Sequence, residues 1–199
     1  NALTQTADIM PTLLGLHGVN IPAEARANDL AQVVSREDQT GRDVALFGVF
    51  GGPLGISDGE YSYYHYPPDL YADGLREYTL APAHMDEFFT SEELRTAALA
   101  PGFDFTKGVP VLSIAALPGA KRVPMNDGLA FQDIGTRLFD VVNDPAQTTE
   151  IVNPDIVDRL LRQAVHVLQS HDTPEEVFRW YGLEHLRKNN REETHETIA

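Results

Sequence analysis

The fold is decided by residues 136–170, TRLFDVVNDPAQTTEIVNPDIVDRLLRQAVHVLQS. In residues 136–142, Leu138, Asp140 and Val142 alternate with Phe139 and Val141, the period of two that a strand requires. Asn143, Asp144 and Pro145 end it, because proline cannot donate to a ladder and its predecessor avoids the α region. The period then changes to that of a helix. Ile156, Leu160, Leu161, Val165 and Leu168 form one apolar face running to about Ser170, with Asn153 or Asp155 as the cap. A strand followed by a long amphipathic helix predicts a sheet covered on one face by that helix.

Working outward, residues 44–50 (VALFGVF) read as a buried strand broken by Gly51, Gly52 and Pro53. Asp58-Gly59 between residues 55–57 and 60–66 predicts a hairpin in which both turn residues take positive φ. Residues 75–80 and 109–116 read as further strands. Thr90 with Glu93 three positions on is a capping box, predicting a helix from there through Leu99. At the N-terminal side, residues 6–18 predict a helix with Ile9, Leu13, Leu14 and Leu16 at helical spacing, Thr6 or Asp8 as cap and Gly18 as stop. Residues 20–42 read as a loop with a short turn, and residues 118–128 as a surface loop. Downstream, Asp172 or Thr173 caps a last helix with Pro174 at its first position and Val177, Phe178 and Tyr181 inward. The polar residues 187–199 read as a frayed tail. The predicted class is α+β: a small antiparallel sheet of about four strands packed by a long C-terminal helix and preceded by a helix.

Composition narrows the function. The 199 residues suit one ordinary domain or two small ones, and 42% hydrophobic with 9% aromatic residues is enough for a packed core. The formal charge of −15 argues against a nucleic-acid partner or an anionic membrane surface, since both need clustered Lys and Arg. There is no cysteine, which excludes disulfides, thiolate metal sites and a cysteine nucleophile. No apolar run approaches the roughly 18 residues of a membrane span, and no basic-then-apolar leader opens the chain. Asn1 and Ala2 read as the remnant of an expression tag ahead of a cut from a longer protein.

A search for catalytic groups finds no self-contained set. His17, His65, His84, His166, His171, His185 and His195 are scattered, and none forms a paired-histidine metal motif. His171-Asp172 reads as a helix start, and Asn126-Asp127-Gly128 and Asn143-Asp144-Pro145 as turns. No nucleophile elbow or S-x-x-K is present. Residues 48–52 lack the Lys-Ser/Thr of a phosphate loop. Two positions stand as candidates for a substrate cleft: His84, in LAPAHM (80–85), and Lys107, in FTKG (105–108). For each the competing reading is structural, a half-buried histidine and a turn lysine. Tyr61, Tyr63, Tyr64, His65 and Tyr66 alternate as a strand does, so sheet packing is their first reading and cleft lining the second.

Several stretches, in order, resemble sulfatases. Residues 4–19 (TQTADIMPTLLGLHGV) match a D-x-x-P-T-L-L helix late in that family's catalytic domain. Residues 45–52 and 57–63 (SDGEYSY) look like its strand pair, and residues 138–147 (LFDVVNDPAQ) like its L-[YF]-D-L-x-x-D-P strand and turn. Residues 77–85, 103–108 and 172–183 look like segments of one bacterial branch, so the likeness runs from about Thr4 to Leu183.

The resemblance implies the C-terminal part of a bacterial sulfatase of the alkaline phosphatase superfamily. Residues 1–2 would be tag, 3–42 the end of the catalytic domain, 43–186 the C-terminal subdomain and 187–199 the tail. In that family the subdomain is a four-stranded antiparallel sheet with a long helix. The nucleophile is a formylglycine made in a C/S-x-P-x-R motif, and a divalent cation, usually calcium, polarises the sulfate. This chain has neither that motif nor a cysteine, so no catalytic or metal residue carries over and no cofactor is expected in the fragment. The implied role is to support the catalytic domain and lend loops to the cleft for a sulfate ester. Its partner would be the rest of its own chain. An apolar patch is then expected on Ile9, Leu13, Leu16 and residues 44–50, through which fragments would dimerise. The alternatives are the same role in a phosphate or phosphonate ester hydrolase, and a stand-alone binding module. The substrate, whether sugar sulfate, aryl sulfate or sulfamate, and the compartment stay open.

Overall fold

The computed structural model describes residues 2–35, 41–84, 88–117 and 135–187. The readings made for Asn1, for the loop at 118–128 and for the tail beyond Arg187 lie outside them. The chain divides into two compact units, one of residues 1–47, 54–65 and 136–171, the other of residues 48–53, 66–135 and 172–199.

In the first unit, a 3-10 turn (Thr6–Asp8) leads into α1 (Ile9–Leu16), and Gly18 at φ 66° stops it. Asp8 does not cap α1. Its fully buried carboxylate takes the Gln5 and Asn28 N–H groups at 2.7 and 3.0 Å and pairs with Arg42, so it pins the following loop. That loop contains α2 (Ala31–Ser35), opened by the Ala31 N–H donating to Asp29 at 2.8 Å. The expected short turn is therefore a five-residue helix, because an aspartate two positions upstream satisfies one of its orphan donors.

Strands β1 (Ala45–Gly48), β2 (Leu54–Ser57) and β3 (Tyr61–His65) form a four-stranded sheet with β7 (Arg137–Asp140), in the order β1-β2-β3-β7. The β2–β3 and β3–β7 pairs are antiparallel. The register opposes Ser57 to Ser62, so the hairpin loop is Gly59-Glu60 and not Asp58-Gly59. Only Gly59 takes a positive φ, 88°. Asp58 instead lends its carboxylate to the Glu60 and Tyr61 N–H groups at 2.9 and 2.7 Å. Helix α4 (Pro154–Ser170) follows the last strand, with Asn153 accepting from Asp155 and Ile156 as its N-cap. Leu160, Ala164 and Val165 on α4 and Ile56 on β2 are fully buried. Burying each large aliphatic side chain contributes about 1.5–3 kcal/mol. This sheet under a long helix is the α+β arrangement that residues 136–170 predict.

The second unit has its own sheet, β4 (Arg76–Thr79), β5 (Ala98–Ala100) and β6 (Val111–Ala115), in the order β4-β6-β5 and antiparallel. Helix α3 (Ser91–Arg95) has the expected Thr90–Glu93 capping box. It ends before Leu99, because residues 98–100 pair with β6 instead. Helix α5 (Glu175–Trp180) starts one residue later than expected: Pro174 is its N-cap, and neither Asp172 nor Thr173 caps it. Asp172 turns the chain at φ 55°. Phe178, Trp180, Tyr181, Leu183 and Leu186 are buried. The Tyr181 hydroxyl donates to the Gly52 carbonyl at 2.8 Å, and burial pushes its pKa up to about 12.

Candidate functional site

His84 follows β4 in the second unit, beside a bridge between Ala83 and Phe88. Its Nε2 lies 2.9 Å from Glu93 Oε1 and its Nδ1 3.4 Å from Glu77 Oε2. Phe89 packs edge-on against the ring, with centroids 4.3 Å apart. Both imidazole nitrogens therefore face carboxylates, one from a strand and one from a helix cap. No local pattern marks Glu77 as a partner, since it reaches the ring from β4. Glu93 was legible only as half of a capping box, since nothing local shows where its second oxygen points.

The electrostatics of the two carboxyls differ. Burial raises the Glu93 pKa, but hydrogen bonds from the Thr90 side chain and N–H and from His84 outweigh it, and the net shift is downward. Burial also raises Glu77; the charge of His84 opposes this and that of Glu93 reinforces it, and the net shift is upward. Around them, Thr96 donates to the Glu93 carbonyl at 2.7 Å and accepts from the Ala115 N–H at 2.9 Å. Arg76 ties the Thr96 carbonyl to Ser113. Such a wired polar cluster fixes geometry, as buried polar groups with full partners do.

Lys107 ends the 3-10 turn Asp104–Thr106 in the left-handed region, at φ 55°, and its side chain is exposed. The turn is held by Thr106 Oγ1, which accepts from the Phe103 N–H and lies 2.9 and 3.1 Å from the Phe103 and Val109 carbonyls. Phe103 and Phe105 stack in parallel with centroids 5.2 Å apart. The ion-pair and ring partners of His84 are Glu77, Glu93 and Phe89, whereas Lys107 is carried by the Asp104–Thr106 turn. The two cleft candidates thus sit in separate local structures.

The aromatic run on β3 is sheet packing, as first read. Tyr63 is buried, and Tyr64 meets Phe47 and Phe139 edge-on while its hydroxyl donates to Gln147 at 3.0 Å. Among the described residues no three His, Asp or Glu side chains converge as metal ligands. No helix among them is long and apolar enough to cross a membrane.

No protein-family model matches the sequence, and no curated protein does. Among solved structures, the chain is similar to one from Bacteroides thetaiotaomicron, designated BT33494S-sulf and described under the metabolism of multiple glycosaminoglycans orchestrated by a versatile core genetic locus. The two are 19% identical, with a TM-score of 0.45 over 87% of this chain. This chain spans 28% of the length of that one.

Proposed function

We propose that this chain is the C-terminal part of a sulfatase, packing against the catalytic part of its own protein and positioning loops beside a sulfate-ester cleft. The observation that carries the reading is α1. Its segment holds the D-x-x-P-T-L-L pattern at residues 8–14, and its apolar side chains face outward: Ile9 is 55%, Leu13 52% and Leu16 67% exposed. Spaced four and three apart, they share one helix face. Met10 and Val19 extend the exposed apolar surface to 48% and 52% exposure. Contiguous apolar surface of this kind marks an interaction site in a soluble protein. Of residues 44–50, also expected in the patch, Val44 and Ala45 are buried, whereas Phe47, Val49 and Phe50 are exposed.

The ordered motifs and the sheet under a long helix support the same reading. On it, the formylglycine and the calcium belong to residues outside this chain. His84 and Lys107 are the positions proposed for the cleft. His84 is oriented by two carboxylates, and Lys107 is presented by a hydrogen-bonded turn.

The test is hydrolysis by the protein that includes the catalytic segment, co-expressed with the formylglycine-generating enzyme. Release of sulfate from 4-nitrophenyl sulfate, with little phosphate released from 4-nitrophenyl phosphate, is expected. The reverse preference would assign the chain to a phosphate-ester hydrolase instead.

A further inference from the structure

We propose that His84 is a proton-dependent tie between β4 and the start of α3. It is closed while the imidazole and Glu77 hold a proton between them, and released on the Glu77 side once that proton leaves. The tie lies within the second unit and stands apart from the ester hydrolysis proposed above. Its basis is the supply of donors. Glu93 Oε1 lies 2.9 Å from Nε2, and Glu77 Oε2 lies 3.4 Å from Nδ1. Ionised carboxylates only accept, so the two contacts together need two N–H groups. An imidazolium has both. A neutral imidazole has one and presents a lone pair at its other nitrogen.

The two sides are not equivalent. Glu93 Oε2 accepts the Thr90 N–H at 2.6 Å and the Thr90 hydroxyl at 2.7 Å, which fixes that carboxylate on the cap of α3 and keeps it ionised. Among the described residues Glu77 has no donor besides His84, and burial pushes its pKa up. The longer contact is therefore the one that yields. With one proton on the Glu77–His84 pair, whichever partner carries it donates to the other and the contact stands. With none, Nδ1 and Oε2 are two acceptors 3.4 Å apart. The proton belongs to the pair, since groups this close titrate together. Among the described residues the charged groups against the ring are Glu77 from β4 and Glu93 from α3. Phe89 packs on it without charge, and Arg76 of β4 donates instead to Ser113 and the Thr96 carbonyl. Acid therefore closes the tie, and loss of the last shared proton opens it.

The experiment follows the His84 ring of the 199-residue chain by NMR, reading its charge and tautomer from proton–nitrogen correlations. The titration runs from about pH 5 to about pH 9, bracketing the range in which histidines change charge. One step is expected, in which the imidazolium becomes the Nε2–H tautomer and the Overhauser contact between the ring and the Glu77 side chain is lost. The Thr90 amide should keep its hydrogen-bonded position throughout. In Glu77→Gln the amide can accept from the charged ring and donate to the neutral one, so the contact should persist across the whole range. A ring that keeps its charge to the top of the range, an Nδ1–H tautomer, a Glu77 contact that outlasts the proton, or the same loss of contact in Glu77→Gln would each overturn the proposal. The first three are read from the native chain, so the test stands even where the variant fails to fold.

Discussion

Glu93 Oε1 lies 2.9 Å from His84 Nε2, while Oε2 of the same carboxylate accepts the Thr90 N–H at 2.6 Å. One buried carboxylate therefore closes the start of α3 and orients the imidazole that follows β4. Glu93→Ala removes both at once and leaves the Thr90 N–H unpaired. A loss of about 1–3 kcal/mol in unfolding free energy is expected by urea titration; an unchanged midpoint would show that the cap is not needed.

The pH dependence of the two carboxyls has opposite sign. Glu93 is depressed, so its stabilisation is full above the ordinary carboxylate range and disappears as pH falls through its lowered pKa. Glu77 is raised, so its contribution is present in acid and lost as pH rises through its raised pKa. Glu93→Gln should destabilise at neutral pH and converge on the native protein in acid, whereas Glu77→Gln should be neutral or stabilising at neutral pH. Unfolding curves across the acid range test the order of the two.

Gly55 on β2 is required by Phe47, whose ring would lie 2.2 Å from an added Cβ. Gly55→Ala is expected to cost about 1–3 kcal/mol as overpacking. In a Phe47→Ala background the same change should cost much less, and a double-mutant cycle by thermal unfolding reads the difference. Additive effects would contradict the contact.

Leu160 is fully buried where α4 covers the four-stranded sheet. Leu160→Ala should cost about 2–5 kcal/mol, the range for deleting a core leucine. Calorimetry that shows a loss below about 1 kcal/mol would mean that α4 does not anchor this core.

On the proposed function, Leu13→Glu with Leu16→Glu changes the surface of α1 and leaves the core intact. Unfolding free energy should move by only about 0.5 kcal/mol, while self-association of the isolated chain, measured by sedimentation, should fall. An unfolded double variant would show that α1 is packed within its unit.

The parts legible in the sequence are those with a local signal. The period of α4 and the Thr90–Glu93 box appear where their residues place them, whereas the period-two run at 136–142 is strand only over Arg137–Asp140, because the Asp140 carboxylate accepts the Val142 and Asn143 N–H groups and turns the chain before Asn143. What escaped depends on tertiary pairing. Residues 98–100 carry helix-forming Ala and Leu, yet β6 recruits them as an edge strand. The hairpin loop shifted by one residue because the β2–β3 register, which a two-residue motif does not encode, opposes Ser57 to Ser62. His84 was visible as a candidate, but its clamp was not, since Glu77 and Glu93 reach it from two different elements.

The most direct test of the central claim is an assay of 4-nitrophenyl sulfate hydrolysis, with calcium, by this 199-residue chain beside the protein carrying the catalytic segment. Turnover by the longer protein alone is the result predicted. Turnover by this chain on its own would contradict the account, because it would require a nucleophile that neither the sequence nor the described residues supply.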